Sequence, residues 1–431
     1  MGYGIPSRRI LGLVKWIGQS LLALVVLATL SYGFVLLHMK TFVGEMMPVW
    51  THGPFDMDHG NYLEFTRARD FSHIRYLDKA NKHPLTAVVY WLVGESAERY
   101  GKNQAAPSSL LVGLAILLFG LWLRSRTDLI YAIVGIVCLG SSFAVWFNGA
   151  VLETRSAIFL GAVILLIGID LVNRRPGPWS AVGASLLTIP LLGFSVPNLF
   201  LLPLVPLIFL LKAAKLGLVR ALKMALLYSG LVFILVVFGF HCMTRLNPGI
   251  SLRAFCEVSE LESGKVTRCE ISHFTTENFK MTARQYLFCS LAGLLKPPTP
   301  EPGRLGAVKD SAWLKPELFR MYLETMSGAL FLITYLLVVA FLAVSTIRTG
   351  YRGHILWVLL AWIGIDIFFL TYFDPWARSP WGVEITVPIW AIIVCGLFRL
   401  RKRWLWLWPL LLGLALLWHN STVMHYLREL Y

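Results

Sequence analysis

Residues 10–37 read ILGLVKWIGQSLLALVVLATLSYGFVLL, an apolar run of about 28 residues. A membrane-spanning helix needs about 20 mainly apolar residues, whereas the apolar core of a cleaved signal peptide has about 7–15. Arg8 and Arg9 precede the run, and basic residues mark the cytoplasmic end of a membrane helix. The run therefore predicts a retained first transmembrane helix whose N-terminus lies in the cytoplasm.

The composition extends this prediction to the whole chain. Of 431 residues, 57% are hydrophobic and 15% are charged, and the mean hydropathy is +0.65. A soluble globular domain carries about 25% charged residues. The net charge of +15 sits in short clusters beside apolar runs, a pattern that is typical of cytoplasmic membrane loops and requires no nucleic-acid partner. The predicted solvent of the chain is the lipid bilayer.

Further apolar runs follow the first along the whole sequence. We predict an all-α polytopic membrane protein with about eleven transmembrane helices. The predicted spans are 10–37, 107–124, 128–146, 156–172, 179–195, 198–214, 222–242, 326–346, 354–372, 382–398 and 403–419.

The basic residues of the connections predict the orientation of these helices. With the N-terminus in the cytoplasm, five short connections rich in Arg and Lys fall on the cytoplasmic side, as the positive-inside rule requires. The outer side then receives residues 38–106 and a long insert at 243–325. Short loops favour a bacterial inner membrane with a periplasmic active site; the same topology also fits a eukaryotic endoplasmic reticulum with a lumenal active site. The predicted divisions are 1–106 (first helix and first outer loop), 107–242 (helices 2–7), 243–325 (outer loop or small subdomain) and 326–431 (helices 8–11 and a short outer tail).

Four of the six cysteines bracket the long insert. An exported loop permits oxidation, and four cysteines allow three pairings. We favour a Cys256–Cys269 bond that closes a hairpin and a Cys242–Cys289 bond that ties its base. Free thiols in a cytoplasmic loop are the alternative.

The first outer loop holds the densest group of polar residues. Residues 55–92 read FDMDHGNYLEFTRARDFSHIRYLDKANKHPLTAVVYWL, and the apolar stretch that begins at Leu85 is too short to span a bilayer. Such a stretch suits a helix that lies in the membrane interface. The loop can therefore present carboxylates at the depth of lipid headgroups, where the phosphate of a lipid carrier lies.

Two motifs in this loop resemble a known family. DHGNY (58–62), followed after about twenty residues by KHPL (82–85), is similar to the N-terminal signature of the GT-C glycosyltransferases, which include protein O-mannosyltransferases and the aminoarabinose transferase of lipid A. The chain departs from that signature at His59, where the family has a second acid, and at Leu85, where it has a second proline.

The resemblance implies a sugar donor linked to polyprenyl phosphate and a glycan, lipid or protein acceptor in the cell envelope. It assigns Asp58 as the base that takes the proton of the acceptor hydroxyl, with inversion by single displacement. It places Lys82 near the donor phosphate. Two acids, Asp56 and Asp58, also offer oxygen ligands for a divalent cation, which is an alternative role for the pair.

Further basic and polar residues on the outer side complete the predicted site. The candidates for the donor phosphate beside Lys82 are His83, Arg75 and Arg378. The candidates for sugar or acceptor are Tyr62, Glu153, Arg155, Asp366, Asp374 and Glu384. The residues that precede the span at 156–172 resemble the family's second outer loop, and Arg378 with the proline of the following span resembles its late Arg–Pro element. Structural alternatives are a helix-start acid stabilised by the helix dipole and a buried ion-pair partner for Asp366.

Two rival interpretations remain open. An O-antigen ligase or polymerase would act through Arg and His residues of the insert 243–325, and Asp58 would then be incidental. A transporter without chemistry would show paired halves and broken helices near the middle of the membrane. The insert shows no spacing typical of metal ligands, so no metal is assigned there.

Overall fold

The structure is a computed structural model that describes residues 7–41, 70–73, 83–100, 106–151, 154–248, 275–293, 318–349, 353–373 and 382–430. These residues are 89% helical and contain no strand. The predicted all-α class is therefore confirmed.

Sixteen α-helices make up this part of the chain. The first eight are α1 (Ser7–Thr41), α2 (Pro84–Tyr100), α3 (Ala106–Arg124), α4 (Leu129–Ser141), α5 (Phe143–Ala150), α6 (Arg155–Arg174), α7 (Pro178–Phe194) and α8 (Leu204–Leu211). The others are α9 (Ala213–Leu216), α10 (Leu218–Leu246), α11 (Thr276–Arg284), α12 (Leu318–Leu323), α13 (Met326–Thr349), α14 (His354–Phe373), α15 (Val383–Arg399) and α16 (Leu407–Leu430). Shorter helical turns lie at Val196–Leu201, Gln285–Cys289 and Arg403–Trp406.

Seven of the described helices are long and apolar enough to cross a membrane, and the pair α4 and α5 makes an eighth if it is one span bent by 64°. The seven are α1, α3, α6, α10, α13, α14 and the segment Trp404–Tyr426. Two other predicted spans correspond to shorter apolar helices at Pro178–Phe194 and Asn198–Leu211. An integral membrane protein is therefore supported, while the count of eleven spans stays a prediction.

Close helix contacts depend on small residues. A Cβ atom at Gly161 of α6 would lie 2.7 Å from the Cα of Leu191 in α7, which is too close for any side chain. Small residues let the backbones of membrane helices approach each other, since lipid supplies no hydrophobic force between them. Gly161 thus fixes how tightly α6 and α7 pack.

The bend between α4 and α5 packs against residues from within the predicted insert 243–325. The amide nitrogens of Phe143 and Ala144 donate to the carbonyl oxygens of Leu291 and Ser290, at 2.8 and 2.9 Å. These bonds satisfy donors that a helix start leaves without intrahelical partners. Asn420 of α16 also donates to the Leu291 carbonyl, at 2.8 Å. Residues 285–293 are therefore part of the helical bundle.

The structure corrects one predicted disulfide. Cys242 and Cys289 are free thiols, the first exposed on α10 and the second buried. Burial raises the pKa of the Cys289 thiol to about 12, because a thiolate loses its hydration there. The predicted Cys242–Cys289 bond is thus not formed. Cys256 and Cys269 lie outside the described residues.

The bundle has two chemically different ends. The end at which α3, α6 and α15 finish, which we name the basic end, carries Arg124, Arg174 and Arg399 in their last turns. Asp170 of α6 accepts from Arg126 Nε at 2.9 Å and lies 3.0 Å from Arg174 Nε. The opposite end, which we name the site end, holds the first turns of α6 and α15 and the last turns of α14.

Candidate functional site

Two buried carboxyl groups and one partly buried arginine meet near the site end. Arg155 is the first residue of α6, Glu384 lies in the first turn of α15, and Asp366 lies in α14. Arg155 Nη1 is 3.6 Å from Glu384 Oε1, and Asp366 interacts electrostatically with both of them. We name these three residues the charged cluster. They are far apart in sequence, and helix packing brings them together.

The positions of Arg155 and Glu384 have different local causes. A carboxylate in the first turn of a helix is stabilised by the helix dipole, whereas a cation there is disfavoured. The start of α15 therefore suits Glu384, but the start of α6 does not suit Arg155. Arg155 is compensated by its contact with Glu384. The turn before Glu384 is fixed as well, because a side chain at Gly382 would collide with the ring of Tyr286.

Burying Asp366 costs more folding free energy than burying either other member of the cluster. Its side chain is fully buried, and within the described residues neither carboxylate oxygen has a hydrogen-bond partner. Trp362 Nε1, one turn earlier on α14, interacts with Asp366 without hydrogen-bond geometry. Asp366 lies seven residues before the end of α14, or about 10 Å below it. A carboxylate at such a depth indicates a functional role by default.

One member of the cluster is accessible from outside the bundle. Two carboxylates face one guanidinium in the described part of the structure, and the side chains of Arg155 and Glu384 are 20% and 2% exposed. Glu384 is therefore placed to orient Arg155, whose guanidinium can reach a ligand. Carboxylates accept hydrogen bonds from hydroxyl or ammonium groups, and a guanidinium suits a phosphate.

His83 connects the predicted first outer loop to the bundle at this end. Its Nδ1 lies 2.9 Å from the carbonyl oxygen of Phe194 at the end of α7, so this nitrogen carries the proton and donates. Thr86 of α2 donates to the same carbonyl at 3.1 Å. The pair anchors the start of α2 and holds residues 83–85 beside α7.

An apolar cavity of about 230 Å³ lies directly beside this anchor. Pro84 and Leu85 line it from α2, Leu192 and Gly193 from α7, and Phe240 with other residues from α10. Its wall is almost entirely carbon, which suits a hydrocarbon chain. A lipid tail in this cavity would place its head near His83.

The remaining predicted site residues fall outside the described residues, so their placement stays a prediction. They are Asp56, Asp58, Tyr62, Arg75, Lys82, Glu153, Asp374 and Arg378. The alternative cation site at Asp56 and Asp58 is among them.

Sequence reasoning missed the polar contacts inside the bundle. Asn420 is fully buried, donates to the Ser141 carbonyl at 2.7 Å and accepts from the amide of Gly293 at 2.9 Å. His419 contacts the Gly293 carbonyl at 2.7 Å. A signal was present, since polar residues within an apolar helix mark buried contacts. The predicted span ended at residue 419, whereas α16 continues to Leu430.

No family model, curated protein or solved structure matches this chain. The resemblance to GT-C glycosyltransferases therefore rests on short sequence motifs alone, chiefly the two at residues 58–62 and 82–85.

Proposed function

We propose that the chain is an integral membrane glycosyltransferase of the bacterial inner membrane. It moves a sugar from a polyprenyl-phosphate carrier to a glycan, lipid or protein acceptor on the periplasmic face. The observation that carries this proposal is the charged cluster of Arg155, Asp366 and Glu384 near one end of an apolar bundle. Buried charges in a membrane protein are expensive and are retained for chemistry or recognition.

The two carboxylates of the cluster suit sugar recognition. A sugar presents several hydroxyl donors, and Asp366 and Glu384 supply acceptors in a site of low dielectric. Arg155 carries the positive charge that a phosphate or a departing phosphate oxygen requires. The contact with Glu384 holds the guanidinium before the substrate arrives, and positioning of this kind is a large part of catalysis.

The lipid part of the donor suits the apolar cavity beside His83. A polyprenyl chain enters between α2, α7 and α10, and its phosphate lies at the level of KHPL (82–85). Lys82 and His83 are then close to the phosphate, as the family resemblance implies. A soluble sugar nucleotide or a free sugar is polar throughout and would gain nothing from contact with a carbon-lined cavity of about 230 Å³.

The reaction proceeds by single displacement. Asp58 takes the proton of the acceptor hydroxyl as its oxygen attacks the anomeric carbon from the face opposite the phosphate. The bond between the anomeric carbon and the phosphate oxygen breaks, and its electron pair leaves with polyprenyl phosphate. The configuration inverts, and Lys82 with Arg155 stabilises the negative charge of the departing phosphate.

The test measures release of polyprenyl phosphate from a panel of polyprenyl-phosphate sugars by purified protein in proteoliposomes, with membrane extract as the source of acceptor. Arg155→Ala should lower kcat/KM by about 10²–10³, the size expected for loss of one preorganised charge contact. Arg174→Ala, at the other end of the same helix, is the matched control and should keep wild-type turnover. Equal turnover by the wild type, Arg155→Ala and Arg174→Ala would show that the charged cluster is not part of the active site.

One observation favours a second candidate function. Residues 285–293 of the long insert are built into the bundle beside the α4–α5 bend, so the insert is placed to take part in a reaction. An O-antigen ligase or polymerase acting on lipid diphosphates would use Arg and His residues of that insert. Loss of activity in His273→Ala with full activity in Asp58→Asn would favour this second function over the first.

A further inference from the structure

A second cavity, of about 260 Å³, lies at the basic end of the bundle. It is enclosed by α13, α14 and α15, and α3 contributes Trp122. Two arginines line it, Arg126 after α3 and Arg399 in the last turn of α15. The cavity therefore lies far from the charged cluster, at the other end of α14 and α15.

Positive charge is concentrated beside this cavity. Arg126 pairs with Asp170, but the same carboxylate also pairs with Arg174. Burial, together with repulsion from Arg174 and Arg399, lowers the pKa of Arg126 to about 10. The charged form of Arg126 is thus disfavoured by its surroundings. An anion in the cavity would add to the single negative charge of Asp170, which Arg126 and Arg174 share.

The rest of the lining is amphipathic. Ser345 and Thr346 of α13 are half-buried, while Leu342 and Leu359 present hydrocarbon to the interior. Outside the cavity, α13 and α14 expose large apolar side chains, among them Ile347, which is 79% exposed. A free inorganic anion would contact only the polar part of the lining. A phospholipid can contact the polar part with its phosphate and the apolar surfaces with its acyl chains.

We propose that this cavity binds the phosphate headgroup of an anionic phospholipid, whose acyl chains lie along α13 and α14. Basic pockets between membrane helices on the cytoplasmic side bind anionic headgroups in this way. The predicted orientation places the basic end on the cytoplasmic side, where anionic lipids meet it. The inference is independent of the proposed transferase activity, because it concerns the opposite end of the bundle.

Binding is measured on the full-length protein in detergent, by titration with dioctanoyl phosphatidylglycerol, dioctanoyl phosphatidylcholine and inorganic phosphate as separate probes. Phosphatidylglycerol should bind saturably and at least tenfold more tightly than either other probe. Arg126→Gln and Arg399→Gln should each weaken this binding about five- to tenfold, as expected for loss of one cationic contact to a lipid phosphate. Arg348→Gln is the matched control: Arg348 is exposed in the last turn of α13 and does not line the cavity, and its loss should leave the affinity within twofold.

A steric variant separates the cavity from general surface charge. Ser345→Trp keeps both arginines but fills the rim of the cavity, and it should weaken phosphatidylglycerol binding at least tenfold. Size-exclusion profiles identify variants that fold, so that a loss of binding is read only from folded protein. Equal affinity for phosphatidylglycerol and phosphatidylcholine would overturn the proposal, and so would wild-type affinity in folded Ser345→Trp. Inorganic phosphate that binds as tightly as phosphatidylglycerol would also overturn it, since the site would then serve a free anion.

Discussion

Replacing Arg155 by Met tests the charged cluster through its energetics. The variant keeps an unbranched, flexible side chain but removes the cation that lies beside the buried carboxyl groups of Glu384 and Asp366. At 3.6 Å and an effective dielectric near 20, the lost attraction is about 4–5 kcal/mol. Part of this loss is offset, because the variant no longer bears the cost of removing the Arg155 guanidinium from water on folding. We therefore expect a loss of about 3 kcal/mol in the free energy of unfolding, the low end for a broken buried ion pair.

The double variant Arg155→Met, Glu384→Gln tests whether the loss comes from unmatched charge. The single variant leaves two buried carboxyl groups beside each other without the guanidinium that faces them in the wild-type protein. The double variant removes one of these two carboxyl groups and should recover about 2 kcal/mol. The free energies are measured by SDS titration in mixed micelles, with Arg174→Met as the control for loss of an arginine from α6.

Activity separates the structural role of Arg155 from its functional role. The double variant should be nearly as stable as wild type but should remain at least 100-fold less active, because the phosphate contact is absent in both variants. If the two substitutions are additive in stability, the ion pair makes no energetic contribution. If the double variant regains full activity, Arg155 acts only on the fold and the assignment of a substrate contact is wrong.

Three other predictions concern the anchor, the thiols and the donor phosphate. In His83→Asn the amide nitrogen can replace Nδ1 as the donor to the Phe194 carbonyl, so this variant should be about 1 kcal/mol more stable than His83→Gln. Both variants should raise the apparent KM for the donor, because both lose the contact of Nε2 with the phosphate. Equal melting temperatures of the two variants would contradict the hydrogen bond. In detergent at pH 8, N-ethylmaleimide should modify Cys242 within minutes and Cys289 only after denaturation, since the pKa of the buried thiol is raised to about 12 and the reagent attacks thiolates. Rapid labelling of Cys289 in the folded protein would contradict a buried thiol, and no labelling of Cys289 after denaturation without reductant would contradict a free one. Lys82→Ala and Arg378→Ala should each raise the apparent KM for the sugar donor about 10- to 100-fold with little change in kcat, as expected for the loss of a charged hydrogen bond to the donor phosphate. A large fall in kcat at unchanged KM would refute a binding role.

The hydrophobic pattern was sufficient to predict the class of fold and the places of most helices. Runs such as 107–124, 156–172 and 326–346 coincide closely with α3, α6 and α13. The pattern did not predict the break at Ser142, because Phe143 and Ala144 continue the apolar run and their amides bond to residues almost 150 positions away. Hydropathy reports the solvent of a segment and carries no information about such partners.

The candidate site was predictable in composition but not in arrangement. Each member of the charged cluster stood out as a charge beside or within an apolar run. That Arg155 pairs with Glu384 depends on how α6 packs against α15, and packing follows from small residues and side-chain shapes that no periodicity encodes. The prediction of a Cys242–Cys289 bond failed for a related reason: the sequence placed Cys289 in an outer loop, whereas residues 285–293 are part of the bundle.

Release of polyprenyl phosphate by Asp58→Asn in proteoliposomes tests the central claim most directly. The amide keeps the shape of the carboxylate but cannot act as a base, so the account predicts that kcat falls by about 10²–10⁴ while the donor still binds with wild-type affinity. Glu324→Gln, which removes an exposed carboxylate between α12 and α13, is the control and should turn over normally. Wild-type turnover by Asp58→Asn would contradict the account.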